Sequence, residues 1–203
     1  MNGDDGERTA ASHPGQRDEA EVAALVRRAQ GGEERAFGEI YETYIDRVYR
    51  YVVYRIQNSA DAEDLAEDVF LRMLESIQSF KFRDVPFSAW IMRIAHNRVV
   101  DYWRRGKHRS GIPIEDAPPL PSTEGDSHRS IELVSDVQEL REAMETLTDL
   151  QQQVLSFRFG AGLSVAETAK AMKRKENAVK ALQHSAVGAL RRNLAPIREA
   201  ADR

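Results

Sequence analysis

Apolar residues return at steps of three and four through most of the chain, and no stretch alternates apolar with polar residues over a strand's length. The clearest run is Phe37, Ile40, Tyr41, Tyr44, Ile45, Val48, Val52 and Ile56, which predicts one long amphipathic helix. Before it, a helix is expected from near Arg17 to Gly31-Gly32, where paired glycines break the pattern. After it, Asn58-Ser59 cap a third helix in which Asp61 and Glu63 face the N-terminal dipole and Leu65, Val69, Met73 and Ile77 form the buried stripe. A loop, SFKFRDV, leads to Pro86, which opens a fourth helix with Phe87, Trp90, Ile91, Ile94 and Val99 on its apolar face.

From Gly106 to Ser130 the period stops and Pro, Gly and Ser dominate, as in a linker. Beyond it, Ile131–Leu147 reads as a helix, and Thr148–Gln151 and Ser164–Glu167 are two capping boxes separated by a Gly160-Ala161-Gly162 break. A short helix, Val165–Met172, a turn at Lys173–Lys175 and a longer helix from Glu176 to about Asn193 have helix-turn-helix spacing. Val165, Thr168, Ala169 and Met172 point inward in this reading, as do Val179, Leu182, Ala186 and Leu190. The expected fold is all-α: two small helical domains, 17–109 and 131–194, joined by an acidic linker, 110–130, with a disordered tail at 1–16 and a second tail at 195–203. A chain of 203 residues is long enough for each domain to have its own core.

Charge changes this picture most. Ser59–Ser76 holds six acids against Arg72, net −5, whereas Arg93–Arg109 holds six Arg and Lys against Asp101, net +5. Opposite patches on successive helices point to two partners, a basic protein surface for one and a polyanion for the other. The overall net charge of −4 hides this segregation, because Ser110–Asp149 alone is net −8 while Lys173–Arg192 is net +5. The chain has no cysteine, which excludes disulfides, thiolate metal sites and cysteine nucleophiles and suits a reducing cytoplasm. Its acidic N-terminal stretch is expected to be neither signal peptide nor anchor, and no apolar run is long enough to span a membrane. No cofactor is expected.

Two blocks carry candidate chemistry. In the C-terminal one, Lys175, Asn177, Lys180, Ala181 and His184 occupy the exposed N-terminal half of a recognition helix, where base edges are read. Lys173, Arg174, Arg191 and Arg192 are placed to hold phosphates. The competing reading is a helical hairpin with a solvated basic face, and the pattern also suits repressors and response regulators. In the fourth helix, arginines beside aromatic rings suit unpaired strands, since guanidinium groups follow phosphates while rings stack on bases. Trp90, on the apolar face, reads as core; for Tyr102 and Trp103 both core and stacking stand.

DAEDLAEDVF followed by FSAWIMRIAHNRVVDYWRR resembles the second conserved region of bacterial sigma-70-type transcription initiation factors. The stretch Thr148–Leu194 resembles their fourth region. With only these two regions and a linker, the chain is most similar to the extracytoplasmic-function (ECF) group. The resemblance implies a polymerase-binding face at Asp61, Glu63, Asp64, Leu65, Asp68 and Phe70, docking on the clamp of core RNA polymerase. It implies that the −10 element is opened and held by Ser79, Phe80, Lys81, Phe82, Arg83, Asp84, Arg93, His96, Asn97, Arg98, Tyr102, Trp103, Arg104 and Arg105. The −35 element falls to Lys173, Arg174, Lys175, Asn177, Lys180, Ala181 and His184, while the fourth region packs on the polymerase flap. Asp116, Glu124 and Asp126 of the linker would mimic nucleic acid in a basic channel. An anti-sigma factor that clasps both domains is a further candidate partner, as for many relatives. Three positions depart from the family pattern: Lys173 replaces the turn glycine, Leu182 stands where arginine is common, and Gln183 where a buried leucine is common.

The expected function is a promoter-specificity subunit without catalysis of its own, acting on duplex and single-stranded promoter DNA in the cytoplasm, with no membrane insertion. The alternative is a stand-alone helix-turn-helix regulator, which leaves the acidic helix unexplained. An enzyme such as a nuclease needs carboxylates gathered around metal. Here the acids of Asp61–Asp68 read as a solvated docking face, and the five histidines are scattered without ligand spacing.

Overall fold

The computed structural model describes residues 18–56, 58–82, 85–107, 140 and 142–201, with side chains to 194 except that of Lys107. The expected tail, the linker and most of the helix expected over 131–147 lie outside these residues, as do Arg83 and Asp84. Among the described residues all regular structure is helical, and no helix is long and apolar enough to cross a membrane.

Four of the helices start where a capping side chain accepts from a free N–H group, whereas Glu33, ahead of the second helix, makes no such bond. Helix α1 (Glu19–Gln30) begins with a capping box in which Asp18 accepts from the Glu21 N–H, and ends at Gly31 before Gly32, whose φ is +85°. Helix α2 (Glu34–Val53) stops three residues short of Ile56, which is nevertheless buried, its N–H donating to the Val52 carbonyl at 2.8 Å in a turn that continues the helix end. Helix α3 (Ser59–Ser76) is capped by the Asn58 side chain, and a short 3-10 turn, Ile77–Ser79, tightens its end. Helix α4 (Phe87–Lys107) starts as Pro86 implied, with the Pro86 carbonyl accepting from the Trp90 N–H at 3.1 Å.

In the C-terminal half both expected capping boxes are present, Thr148 with Gln151 opening α5 (Asp149–Leu155) and Ser164 with Glu167 opening α6 (Val165–Met172). Between them lies a feature that no sequence pattern announces, a five-residue π turn at Ser156–Gly160 closed by the Ala161 N–H on the Ser156 carbonyl. Helix α7 (Glu176–Ala201) is the last element among the described residues.

Ile40, Val48 and Val52 of α2, Val69 and Met73 of α3, and Phe87, Ile91, Met92 and Val99 of α4 form the N-terminal core. Met144, Leu147, Val154, Leu155, Ala169, Val179 and Ala186 form a second one. The cores are not independent, because Phe157, Ala161, Leu163 and Ala171 of the C-terminal half are buried in the first. The two halves therefore pack against each other, mainly through α4 against α6 and α2 against the π turn.

Lys173, at the end of α6, takes a left-handed conformation (φ 54°, ψ 45°), so the turn is made without glycine at a steric cost. A non-glycine residue there costs about 1–2 kcal/mol, and glycine's greater freedom when unfolded takes back about 0.5–1 kcal/mol. Lys173→Gly is therefore expected to stabilise the chain by roughly 0.5–1 kcal/mol. Urea denaturation checks this, and a lower midpoint for the variant would contradict the left-handed turn.

Candidate docking and nucleic-acid faces

On α3 the acidic residues divide into two sets. Glu63, Asp64 and Glu67 are exposed. Asp61 and Asp68 instead face α4, where Asp61 accepts from the Tyr102 hydroxyl at 2.6 Å and Asp68 from Arg98 Nη1 at 3.2 Å. Arg98 also bonds Asp101 on its own helix. Burial, the Asp61 hydrogen bond and the Asp61 charge together push the Tyr102 hydroxyl up to about 12. The two helices of opposite sign thus satisfy each other along one edge. Leu65 is half-buried, and Phe70 is buried with its ring 4.7 Å from Tyr41, so neither side chain is free on the acidic face. Sequence reasoning missed Leu71 and Leu74, which are 59% and 42% exposed beside the acids. Their signal was available, since both fall off the stripe of Val69 and Met73.

The residues expected to open DNA are scattered in environment. Phe80 is buried at the centre of an aromatic cluster, with Phe82 at 4.7 Å, Phe87 at 5.3 Å and Trp90 at 4.9 Å, so it builds the loop's floor. Trp90 takes its place in the same cluster, as its apolar-face position implied. Ser79 and Lys81 are exposed, and Phe82 is half-buried with the Arg27 guanidinium 5.7 Å over its ring. Along α4, Asn97, Trp103, Arg104 and Arg105 are exposed, whereas Arg93, His96, Arg98 and Tyr102 are half-buried. Trp103 stands edge-on to Tyr102 at 5.6 Å and remains 43% exposed.

Two of the half-buried residues are held by the C-terminal half. Arg93 Nη2 donates to the Lys170 carbonyl at 2.7 Å. His96 Nδ1 shares a 3.0 Å hydrogen bond with the Tyr51 hydroxyl, and its ring lies 6.2 Å from that of Phe157. Tyr51 and Phe157 are stacked at 4.7 Å. Near the start of α4, Ser88 donates to Glu167. Burial pushes the Glu167 carboxyl up, but the Ser88 hydroxyl, the Ser164 N–H and hydroxyl and nearby Arg47 outweigh it and hold the group below the usual range. Arg47 Nε bonds the Ala161 carbonyl at 2.8 Å, and Arg55 Nη1 the Asp149 carbonyl at 3.4 Å.

The C-terminal basic set is more uniform. Lys173, Arg174, Lys175, Asn177, Lys180, Ala181 and His184 are all exposed, along one end of α7 and the turn before it. Val179 and Ala186 are fully buried and Leu182 half-buried, so the stripe steps from Val179 to Leu182 as the sequence implied. Gln183 accepts from Arg158 Nε at 2.9 Å, a polar tie where the family pattern has a buried leucine. Lys180, His184 and Arg191 rim a concavity of about 340 Å³ that Arg158 and Val187 help to line. Among the described residues no three His, Asp or Glu side chains converge as a metal site.

Residues 40–109 match the family described as Sigma-70 region 2, and residues 143–192 match Sigma-70, region 4. The ECF RNA polymerase sigma factor BldN of Streptomyces coelicolor is 40% identical over 178 residues, covering 87% of this chain and 67% of that protein. The ECF RNA polymerase sigma factor SigX of Bacillus subtilis is 29% identical over 176 residues, covering 82% of this chain and 87% of that protein. Among solved structures, CnrH in complex with the cytosolic domain of CnrY superposes with a TM-score of 0.64 at 20% identity, over 90% of this chain and 99% of that one. That last likeness speaks to the fold alone.

His96 gives a pH test of this packing. Burial first, then the Arg55 charge, lower its pKa to about 4, with Asp149 opposing. In acid the unfolded chain takes up a proton that folded His96 refuses, so stability is complete above about pH 6.5 and falls as pH drops towards 4. Thermal midpoints measured at about pH 7.5 and about pH 5 should fall for the parent and fall less for His96→Gln. Equal slopes for the two would show that His96 is not buried in solution.

Proposed function

The chain belongs to the sigma-70 family of RNA polymerase sigma factors, in its extracytoplasmic-function group, and on that premise we propose how its surfaces divide the work of starting transcription. It is a promoter-directing initiation factor that binds core RNA polymerase and brings it to particular promoters. The observation that carries the reading is the pair of matches, region 2 over 40–109 and region 4 over 143–192, in one short chain. A stand-alone regulator has no use for the first of these.

In this reading the clamp of polymerase meets the exposed acids Glu63, Asp64 and Glu67 together with Leu71 and Leu74, while Asp61, Asp68, Leu65 and Phe70 shape that face from within. Exposed acids beside exposed leucines suit a basic surface with an apolar centre, where desolvation strengthens the charge pairing. The −10 strand runs along α4 past Asn97, Trp103, Arg104 and Arg105, with Ser79, Lys81 and the Phe80–Phe82 floor beside it. Arginines follow the phosphates and Trp103 offers its exposed ring to a base. Region 4 sets Lys175, Asn177, Lys180, Ala181 and His184 into the major groove of the −35 element, with Lys173 and Arg174 on phosphates. An anti-sigma factor competing for these faces is the natural regulator. No step of this needs a cofactor or a covalent reaction, and the site of action is the cytoplasm, where polymerase is.

The primary test is reconstitution: core polymerase plus this chain, given promoters selected from a random pool, should initiate at a defined site. No selectable promoter would refute the function. Asp64→Lys should weaken core binding roughly tenfold, about 1.4 kcal/mol, without altering helicity. Unchanged affinity would remove α3 from the docking face. Trp103→Ala should slow strand opening at the −10 element, through a loss of about 1–3 kcal/mol of stacking, and leave core affinity unchanged. Lys180→Ala should weaken only duplex binding at −35, as measured by footprinting of the holoenzyme.

A further inference from the structure

Arg158 ties together three parts of region 4. It lies in the π turn, its Nη1 donates to the Leu163 carbonyl just ahead of α6, and its Nε donates to Gln183 Oε1 on α7 at 2.9 Å. We propose that Arg158 is a positioning residue for −35 recognition: through Gln183 it fixes the rotation of α7, and with it the placement of Lys180 and His184 against base edges. The inference rests on the reading of α7 as the −35 helix.

The core alone sets that rotation weakly. From the start of α7 to Ala186, only Val179 and Ala186 are fully buried, and Leu182 between them is half-buried. Small side chains interdigitate little with the helices opposite, so such a stripe resists rolling poorly. A roll of about 20° moves a group about 6 Å from the helix axis by about 2 Å. That is enough to break a hydrogen bond to a base. Gln183 lies about 100° round the helix from Leu182, at the border between the stripe and the basic face. A hydrogen bond there opposes rolling where apolar contacts do not.

The anchor is itself well held. Leu163 and Phe157 are fully buried, and the Leu163 N–H donates to the Phe157 carbonyl at 2.9 Å. The next residue, Ser164, opens α6 with its capping box. Arg158 therefore braces α7 against hydrogen-bonded backbone on one side. It is half-buried, and it lines the same concavity of about 340 Å³ as Lys180, Gln183 and His184. A planar guanidinium can hold two acceptors in fixed directions, which the ammonium of lysine cannot reproduce.

The test uses holoenzyme reconstituted from core polymerase and the full chain. Two labelled duplexes are compared, the promoter selected with the parent and the same promoter with its −35 element scrambled. The ratio of their dissociation constants measures −35 discrimination. Arg158→Lys keeps the charge and loses the fork, while Gln183→Leu removes the acceptor at similar volume. Each should cut the ratio about tenfold. Helicity, core affinity, and binding to the scrambled duplex with its salt dependence should not change.

The double variant should lose no more than either single one, because one interaction is removed once. Gln183→Glu keeps an acceptor for Arg158, so it should retain the ratio while weakening both duplexes alike. An unchanged ratio in both single variants would overturn the inference, as would losses that add in the double variant. A purely structural role predicts a lower urea midpoint with the ratio kept, and that result would overturn it too. If the parent holoenzyme does not distinguish the two duplexes, the reading of α7 as the −35 helix is refuted instead, and the inference falls with it.

Discussion

Phe157 belongs to the C-terminal half yet is completely buried by the N-terminal half, stacked on Tyr51 and bordered by His96. Much else depends on this placement. It brings α6 to α4, sets Glu167 beside Ser88, and gives Arg47 and Arg55 the carbonyls they bond. Burying such a ring yields about 1.5–3 kcal/mol, while one buried donor without a partner costs about 1–3 kcal/mol. The gain from the ring is thus partly offset by the unpartnered nitrogens Arg47 Nη2, Arg55 Nε and Arg93 Nε.

The second organising constraint is the sharing of α4. One stripe, from Phe87 through Ile91, Met92 and Val99, is committed to the core. A second edge, Arg98 and Tyr102, answers the acids Asp68 and Asp61 of α3. Asn97, Trp103, Arg104 and Arg105 are exposed towards its C-terminal end, and the two arginines reach only Asp101, one turn back on the same helix. The field a partner meets is therefore weaker on both helices than the formal −5 and +5 suggest, and concentrated at Glu63, Asp64 and Glu67 on one and at the last turns of the other.

Much of this was legible in the chain itself. Capping boxes at Thr148 and Ser164 rest on local hydrogen bonds, so four residues of sequence suffice to see them. The helix-turn-helix was legible for the same reason, and its exposed set is the complement of a stripe that periodicity fixes. Which acids of α3 would be spent on α4 was not legible, because charge counting carries no azimuth and pairing depends on how two helices cross. Phe80, expected as a DNA contact, lies in the floor of its loop, since an aromatic in a loop has no period to declare it core. Least visible was the union of the halves, since the Phe157–Tyr51 contact spans more than a hundred positions and leaves no trace in either local pattern.

The π turn at Ser156–Gly160 has a consequence for how this protein can vary. It holds one residue more than an α-helical path would need, and each helical residue rotates the chain beyond it by about 100°. Removing one residue there would rotate Gly160 away from Tyr54 and carry Arg158 off Gln183, while leaving every hydrophobic residue on either side unchanged. A single deletion would reorient the whole recognition module against its neighbour. Length, as much as the identity of Phe157 and Gly160, is the quantity that selection has to guard in this stretch.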